Sequence, residues 1–172
     1  MVAGMKIIGI DPGLANTGFG VIEFTGQASR LLAAGDIVTR AGEHLPLRLK
    51  TIHDRLAAAI EEWKPDAAAI ENLYFCTNVR TAISVAQGRG VCILATAAAD
   101  IPLAEYTPLQ IKLAVAGYGK ATKQQVQKMV KAILGLRELP ASSHSADAIA
   151  VALCHAHSQR YNRLLQQSTA RS

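Results

Sequence analysis

The run Ile7-Ile8-Gly9-Ile10 reads as a buried strand that stops on a charge: Asp11 follows it, and Pro12-Gly13 closes the turn. The pattern recurs at residues 67–71, where Ala-Ala-Ala-Ile ends on Glu71. Short apolar runs bounded by turn formers are strands, and a carboxylate at the end of each must be stabilised by something. If the two strands are neighbours in one sheet, Asp11 and Glu71 stand side by side. Mutual repulsion and burial then both disfavour the ionised pair. A chain built this way needs a sheet that brings these strands together and a partner for two negative charges.

The remaining segments supply such a sheet. Residues 18–24 and 31–38 alternate well enough for strands, and their joins are short, with turn formers at Pro12-Gly13 and Thr25-Gly26. That pattern predicts an antiparallel meander of the first three strands. Leu45, Leu49, Ile52, Leu56 and Ile60 recur at helical spacing up to Trp63, and Pro65 ends the run. A second helix, dense in Ala and Gly, spans 78–99, and Leu103 to Tyr106 is a last strand. Thr107-Pro108-Leu109-Gln110 and Thr122-Lys123-Gln124-Gln125 each put Thr at a cap with Gln three residues on, so two helices start there. A final helix starts near Ser142 or Ser143 and runs to about His157. The order β-β-β-α-β-α-β-α-α-α predicts an α/β fold, a five-stranded mixed sheet with helices on both faces, as a single domain over residues 1–157. Residues 158–172 are polar and are expected to form a flexible tail.

Half of the 172 residues are hydrophobic but only 5% are aromatic, so the core has to be built from Ala, Val, Ile and Leu. No stretch is long and apolar enough for a bilayer span, and the N-terminus lacks the regions of a signal peptide, so a cytoplasmic protein without membrane contact is expected. Cys76, Cys92 and Cys154 show no CxxC spacing and indicate neither a disulfide frame nor a zinc site. The whole net charge of +5 falls between Glu105 and Arg137, where Lys112, Lys120, Lys123, Lys128, Lys131 and Arg137 meet a single acid. Such clustering fits a polyanionic partner, most often nucleic acid, and equally fits a solvated helix face.

A third acid interrupts an apolar segment in Ser142-Ser143-His144-Ser145-Ala146-Asp147-Ala148-Ile149. His144 and Asp147 are three residues apart and share one helix face. Each acid alone has an ordinary explanation: Asp11 as a turn residue, Glu71 paired with an Arg, Asp147 as a complement to the helix dipole. Their conjunction points elsewhere. Oxygen ligands on rigid strand ends, with open positions for water and a substrate phosphate, describe a magnesium or manganese site.

The segments Gly9-Ile10-Asp11-Pro12-Gly13, Thr17-Gly18-Phe19-Gly20-Val21-Ile22, Ala69-Ile70-Glu71-Asn72-Leu73-Tyr74-Phe75, Ala86-Gln87-Gly88-Arg89-Gly90-Val91 and the Ser145–Ala152 helix together resemble the RuvC-type Holliday-junction resolvases, in family order and spacing from Lys6 to His157. The resemblance implies a ribonuclease H-like fold and a homodimeric endonuclease that nicks a four-way DNA junction symmetrically, leaving 5′-phosphate and 3′-hydroxyl ends. It implies two Mg2+ or Mn2+ ions per active site, held by Asp11, Glu71, His144 and Asp147. At the third of these positions many members carry Asp where this chain has His144. It further implies DNA contacts at Tyr74, Phe75, Arg80, Arg89, Lys112, Tyr118, Lys120 and Lys123, with Tyr74 or Phe75 stacking on an unpaired base. A bacterial, nucleoid-associated location and a partnership with a RuvA–RuvB-type branch-migration complex also follow from it. The Ala/Gly-rich helix over 78–99 would serve dimer pairing, or would pack on the sheet. Rival readings are another nuclease of the same fold acting on RNA–DNA hybrids, a transposase-like enzyme, an actin-like ATPase or sugar kinase, and a non-catalytic junction-binding module.

Overall fold

The structure, a computed structural model, describes residues 4–72 and 79–169. The elements are β1 (Met5–Asp11), β2 (Asn16–Phe24), β3 (Ser29–Val38), α1 (Leu45–Trp63), β4 (Ala67–Glu71), α2 (Val79–Ala98), β5 (Leu103–Tyr106), α3 (Pro108–Ala116), α4 (Lys123–Ile133) and α5 (Ser143–Thr169). They form a 5-stranded sheet in the order β3-β2-β1-β4-β5. The first three strands make the expected antiparallel meander, and β4 and β5 add parallel to β1 and to each other.

Strand alternation divides the core in two. Ile8, Ile10, Val21, Ile37, Ala68 and Ile70 face α1 and α2, where they meet Ile52, Leu56, Ile60, Cys92 and Ala95. Ile7, Ile22, Phe24 and Ala69 face the other way, against Ile111 of α3, Val126 and Val130 of α4, and Ile149 and Leu153 of α5. On that second face the sheet is partly bare of side chains. A Cβ on Gly9 would lie 2.1 Å from the Ala148 carbonyl oxygen, and one on Gly18 would lie 2.1 Å from that of His144. Helix α5 therefore rests on β1 and β2 at backbone contact.

Both predicted capping boxes form: Thr107 and Thr122 accept from the amides of Gln110 and Gln125, and each Gln side chain returns to its Thr amide. The C-terminal expectation needs correction, because α5 does not end near His157 but continues to Thr169. The helical backbone, wound through the buried part of α5, continues into the polar residues beyond it.

Candidate active site

Asp11, Glu71 and Asp147 come from three elements, and the sheet register explains two of them. Gly9 pairs with Ala69 and Ile10 with Ile70, so the next residues along these parallel strands, Asp11 and Glu71, are neighbours. By alternation they point to the same face as Ile7, Gly9 and Ala69, toward α5. Helix α5 crosses that face with its first turn over Gly18, which brings His144 and Asp147 to the strand ends.

The contacts are specific. His144 Nδ1 lies 2.8 Å from Asp11 Oδ2, with the Asp11 side chain 15% exposed and that of His144 41% exposed. Lys123, the first residue of α4, places its Nζ on Asp147 Oδ2. Glu71, Asp147, Lys112 and Lys123 line a cleft of about 190 Å³ floored by Ile111, Val126 and Ala150. Burial pushes the Asp11 carboxyl above its ordinary range, and the hydrogen bond with His144 works against that rise. Glu71 is pushed up to about 7, first by burial and then by the negative charges of Asp11 and Asp147.

The surroundings hold these groups in place. Thr17 Oγ1 donates to the Gly13 carbonyl at 2.6 Å, and Thr39 Oγ1 donates to that of Leu14 at 2.5 Å, so the loop after Asp11 is fastened from β2 and from the residue that follows β3. Gly88 of α2 backs the same loop, since a Cβ there would lie 3.0 Å from the Gly13 carbonyl carbon. At the start of α5, Ser142 Oγ accepts from the His144 amide at 3.1 Å and donates to Asp36 Oδ1 of β3 at 2.8 Å. The helix start near Ser142 was legible in the sequence, but Asp36 was not. It is an inward-facing acid in the run Ala33-Ala34-Gly35-Asp36-Ile37 with no local pattern to mark it, and its partner is 106 residues away.

Among the described residues no three His, Cys, Asp or Glu side chains form a metal-binding group, and Asp11 is partnered by His144 and Asp147 by Lys123. The donor set nonetheless suits a hard divalent cation. Carboxylates from two strands and a helix share one half-buried site, where burial first, and then the charges of Asp11 and Asp147, raise the Glu71 carboxyl.

The sequence-predicted DNA contacts separate. Lys112 and Lys123 lie in the cleft, and Tyr118 and Lys120 are exposed in the connection between α3 and α4. Arg89 is different: its Nη2 donates to Glu105 Oε2 at 2.6 Å, its side chain is 19% exposed, and the pair ties α2 to β5 on the sheet face away from Glu71. Arg80 lies in the first turn of α2. Tyr74 and Phe75 lie outside the described residues. His155 and His157 are structural, the first 2.9 Å from the Tyr106 hydroxyl and the second 2.8 Å from the Ala114 carbonyl oxygen.

A mixed sheet in this order, with acids at the ends of its first and fourth strands and on a helix laid across them, defines a ribonuclease H-like domain. The sequence model of crossover junction endodeoxyribonuclease RuvC matches residues 7–155. The crossover junction endodeoxyribonuclease RuvC of Syntrophomonas wolfei is 50% identical over 168 residues, 98% of each chain. That of Desulforamulus reducens is 51% identical over 152 residues, 88% of this chain and 93% of the other. Thermus thermophilus RuvC in complex with Holliday junction substrate has the same fold, with a TM-score of 0.88 and 38% identity over 92% of this chain and 96% of that one. The chain belongs to the RuvC family of crossover junction endodeoxyribonucleases.

Proposed function

We propose that this chain is a structure-selective endodeoxyribonuclease that resolves four-way DNA junctions by paired, metal-dependent nicks, leaving 5′-phosphate and 3′-hydroxyl ends. The observation that supports this reading is the gathering of Asp11, Glu71, His144 and Asp147 at the ends of the central strands in a chain of this family. Asp11 and Glu71 would hold Mg2+ or Mn2+ from the strands, and His144 and Asp147 would complete the shell from α5. These four residues would hold two such ions, whose chemistry would be to activate a water and to neutralise negative charge at the leaving 3′-oxygen and at phosphorus. The protein's own part is placement. The strand ends set two carboxylates at fixed separation, and the cap on α5 aims the other two groups at them. Asp11 holds the His144 ring through Nδ1 and leaves its other nitrogen for a ligand or a proton.

Lys112, Lys120, Lys123, Tyr118 and Arg80 would carry the DNA backbone, and Tyr74 or Phe75 would stack on an unpaired base, a contact worth ~1–3 kcal/mol. A junction has approximate two-fold symmetry, which suits a homodimer. Ile83 and Leu94 of α2 are 55% and 59% exposed. They are about three turns apart on one helix face and would be covered by a second copy. We further place the protein in a bacterial cytoplasm beside the nucleoid, working with a RuvA–RuvB-type branch-migration complex. No helix of the described residues is long and apolar enough to cross a membrane.

One gel tests the core of this. A synthetic immobile four-way junction should be nicked in opposite strands with Mn2+ present and left intact by Asp11→Asn, which should still bind it. Undiminished cleavage by Asp11→Asn, or preference for an RNA–DNA hybrid over the junction, would overturn the reading.

A further inference from the structure

Lys123 does something a simple DNA-contacting lysine would not. It is held at the start of α4 by a complete cap, with Gln125 N donating to Thr122 Oγ1 at 3.2 Å and Thr122 N donating to Gln125 Oε1 at 2.8 Å. From there its Nζ reaches Asp147 Oδ2, 24 residues further along the chain. Its ammonium lies in the cleft shared with Glu71, and its charge opposes the upward displacement of both Asp11 and Glu71. The Lys123 side chain is still 54% exposed, against 26% for Asp147. It can therefore withdraw into water on its flexible stem without leaving a buried charge behind.

We propose that Lys123 is a built-in cation that occupies the Asp147 carboxylate in the metal-free protein and is displaced when a divalent ion loads, so that the lysine and the metal compete for one ligand. The inference rests on the metal-site reading above and deepens it. Three carboxylates gathered without any cation would repel one another, and α5 would be pushed away from the strand ends. A lysine on Asp147 relieves that repulsion and lets the site assemble before metal arrives. It also lowers apparent metal affinity, because the ligand must first be freed. Metal loading, in turn, uncovers a positive charge at the rim of the cleft.

The test is a calorimetric Mn2+ titration of the full chain without DNA. Lys123→Met should bind Mn2+ about fivefold more tightly than the parent, the size expected from removing one partly exposed ion pair. Lys123→Arg, which keeps the charge, should stay near the parent. In chelator at pH 8, Lys123→Met should melt below the parent, and saturating Mn2+ should erase the difference. Unchanged or weaker Mn2+ binding by Lys123→Met overturns the proposal, as does an unchanged melting temperature in chelator. Asp11→Asn separates the two levels of inference. If it binds Mn2+ like the parent, the metal-site reading itself fails and this inference falls with it. If it loses binding while Lys123→Met changes nothing, only the competition is refuted.

Discussion

The strand-borne and helix-borne halves of the site are built differently. Asp11 and Glu71 sit at the ends of central strands, fixed by ladder pairing, mostly buried, and both raised above the ordinary carboxylate range. His144 and Asp147 sit in the opening turns of α5, are more exposed, and each has a partner within reach, Asp11 for one and Lys123 for the other. The strands thus supply rigid, buried carboxylates, and the helix supplies more exposed groups that reach a partner on another element. On the proposed metal-site reading, a cation would be drawn in by one half and completed by the other.

That contrast can be broken by substitution. Glu71→Gln should abolish most junction cleavage, by about a thousandfold, since it removes a carboxylate of the proposed metal site. His144→Ala should cost less, about thirtyfold, as the loss of an exchangeable group. Single-turnover rates on one junction decide the matter, and a larger loss for His144→Ala would reverse the assignment of roles. Next in size, Gly18→Ala would force a methyl group into the His144 carbonyl and lift α5 off β2. It should destabilise the fold by about 1–3 kcal/mol in denaturant melts and lower cleavage, while Gly42→Ala, with open space around it, should leave the rate of cleavage alone.

The smallest effect concerns pH. The Glu71 carboxyl rises from 4.5 to about 7 in the metal-free fold, so the folded state holds its proton more tightly than the unfolded chain does. Stability associated with this group is therefore full below the unfolded value and is lost as pH rises toward about 7. Metal requires the ionised form, so Mn2+ affinity should climb about tenfold between pH 6 and 8 with release of a proton. Calorimetry in buffers of different ionisation enthalpy measures that proton. Equal release by Glu71→Gln would place its source elsewhere.

Much of this was readable in the chain because it is local. Strand alternation, two Thr-Gln capping boxes and the placing of acids at the ends of apolar runs all lie within a few residues, and each formed as expected. What escaped were pairings over distance. Lys123 on Asp147, Asp36 on Ser142 and Arg89 on Glu105 join segments that no periodicity connects. Residues 158–169 escaped for a different reason. A polar stretch gives no burial signal of its own, yet it continues α5 because the turns before it are already wound.

The bare glycine positions beneath α5 have one more implication. Where a helix meets a sheet through side chains, the gap between them depends on which side chains fill it, and it drifts as a core is repacked by mutation. At Gly9 and Gly18 main chain meets main chain. The distance from strand-held to helix-held groups is then the thickness of two polypeptide backbones, a dimension that substitutions elsewhere in the core leave untouched. An interatomic spacing that chemistry cannot let wander has been tied to the part of a protein that sequence change does not alter.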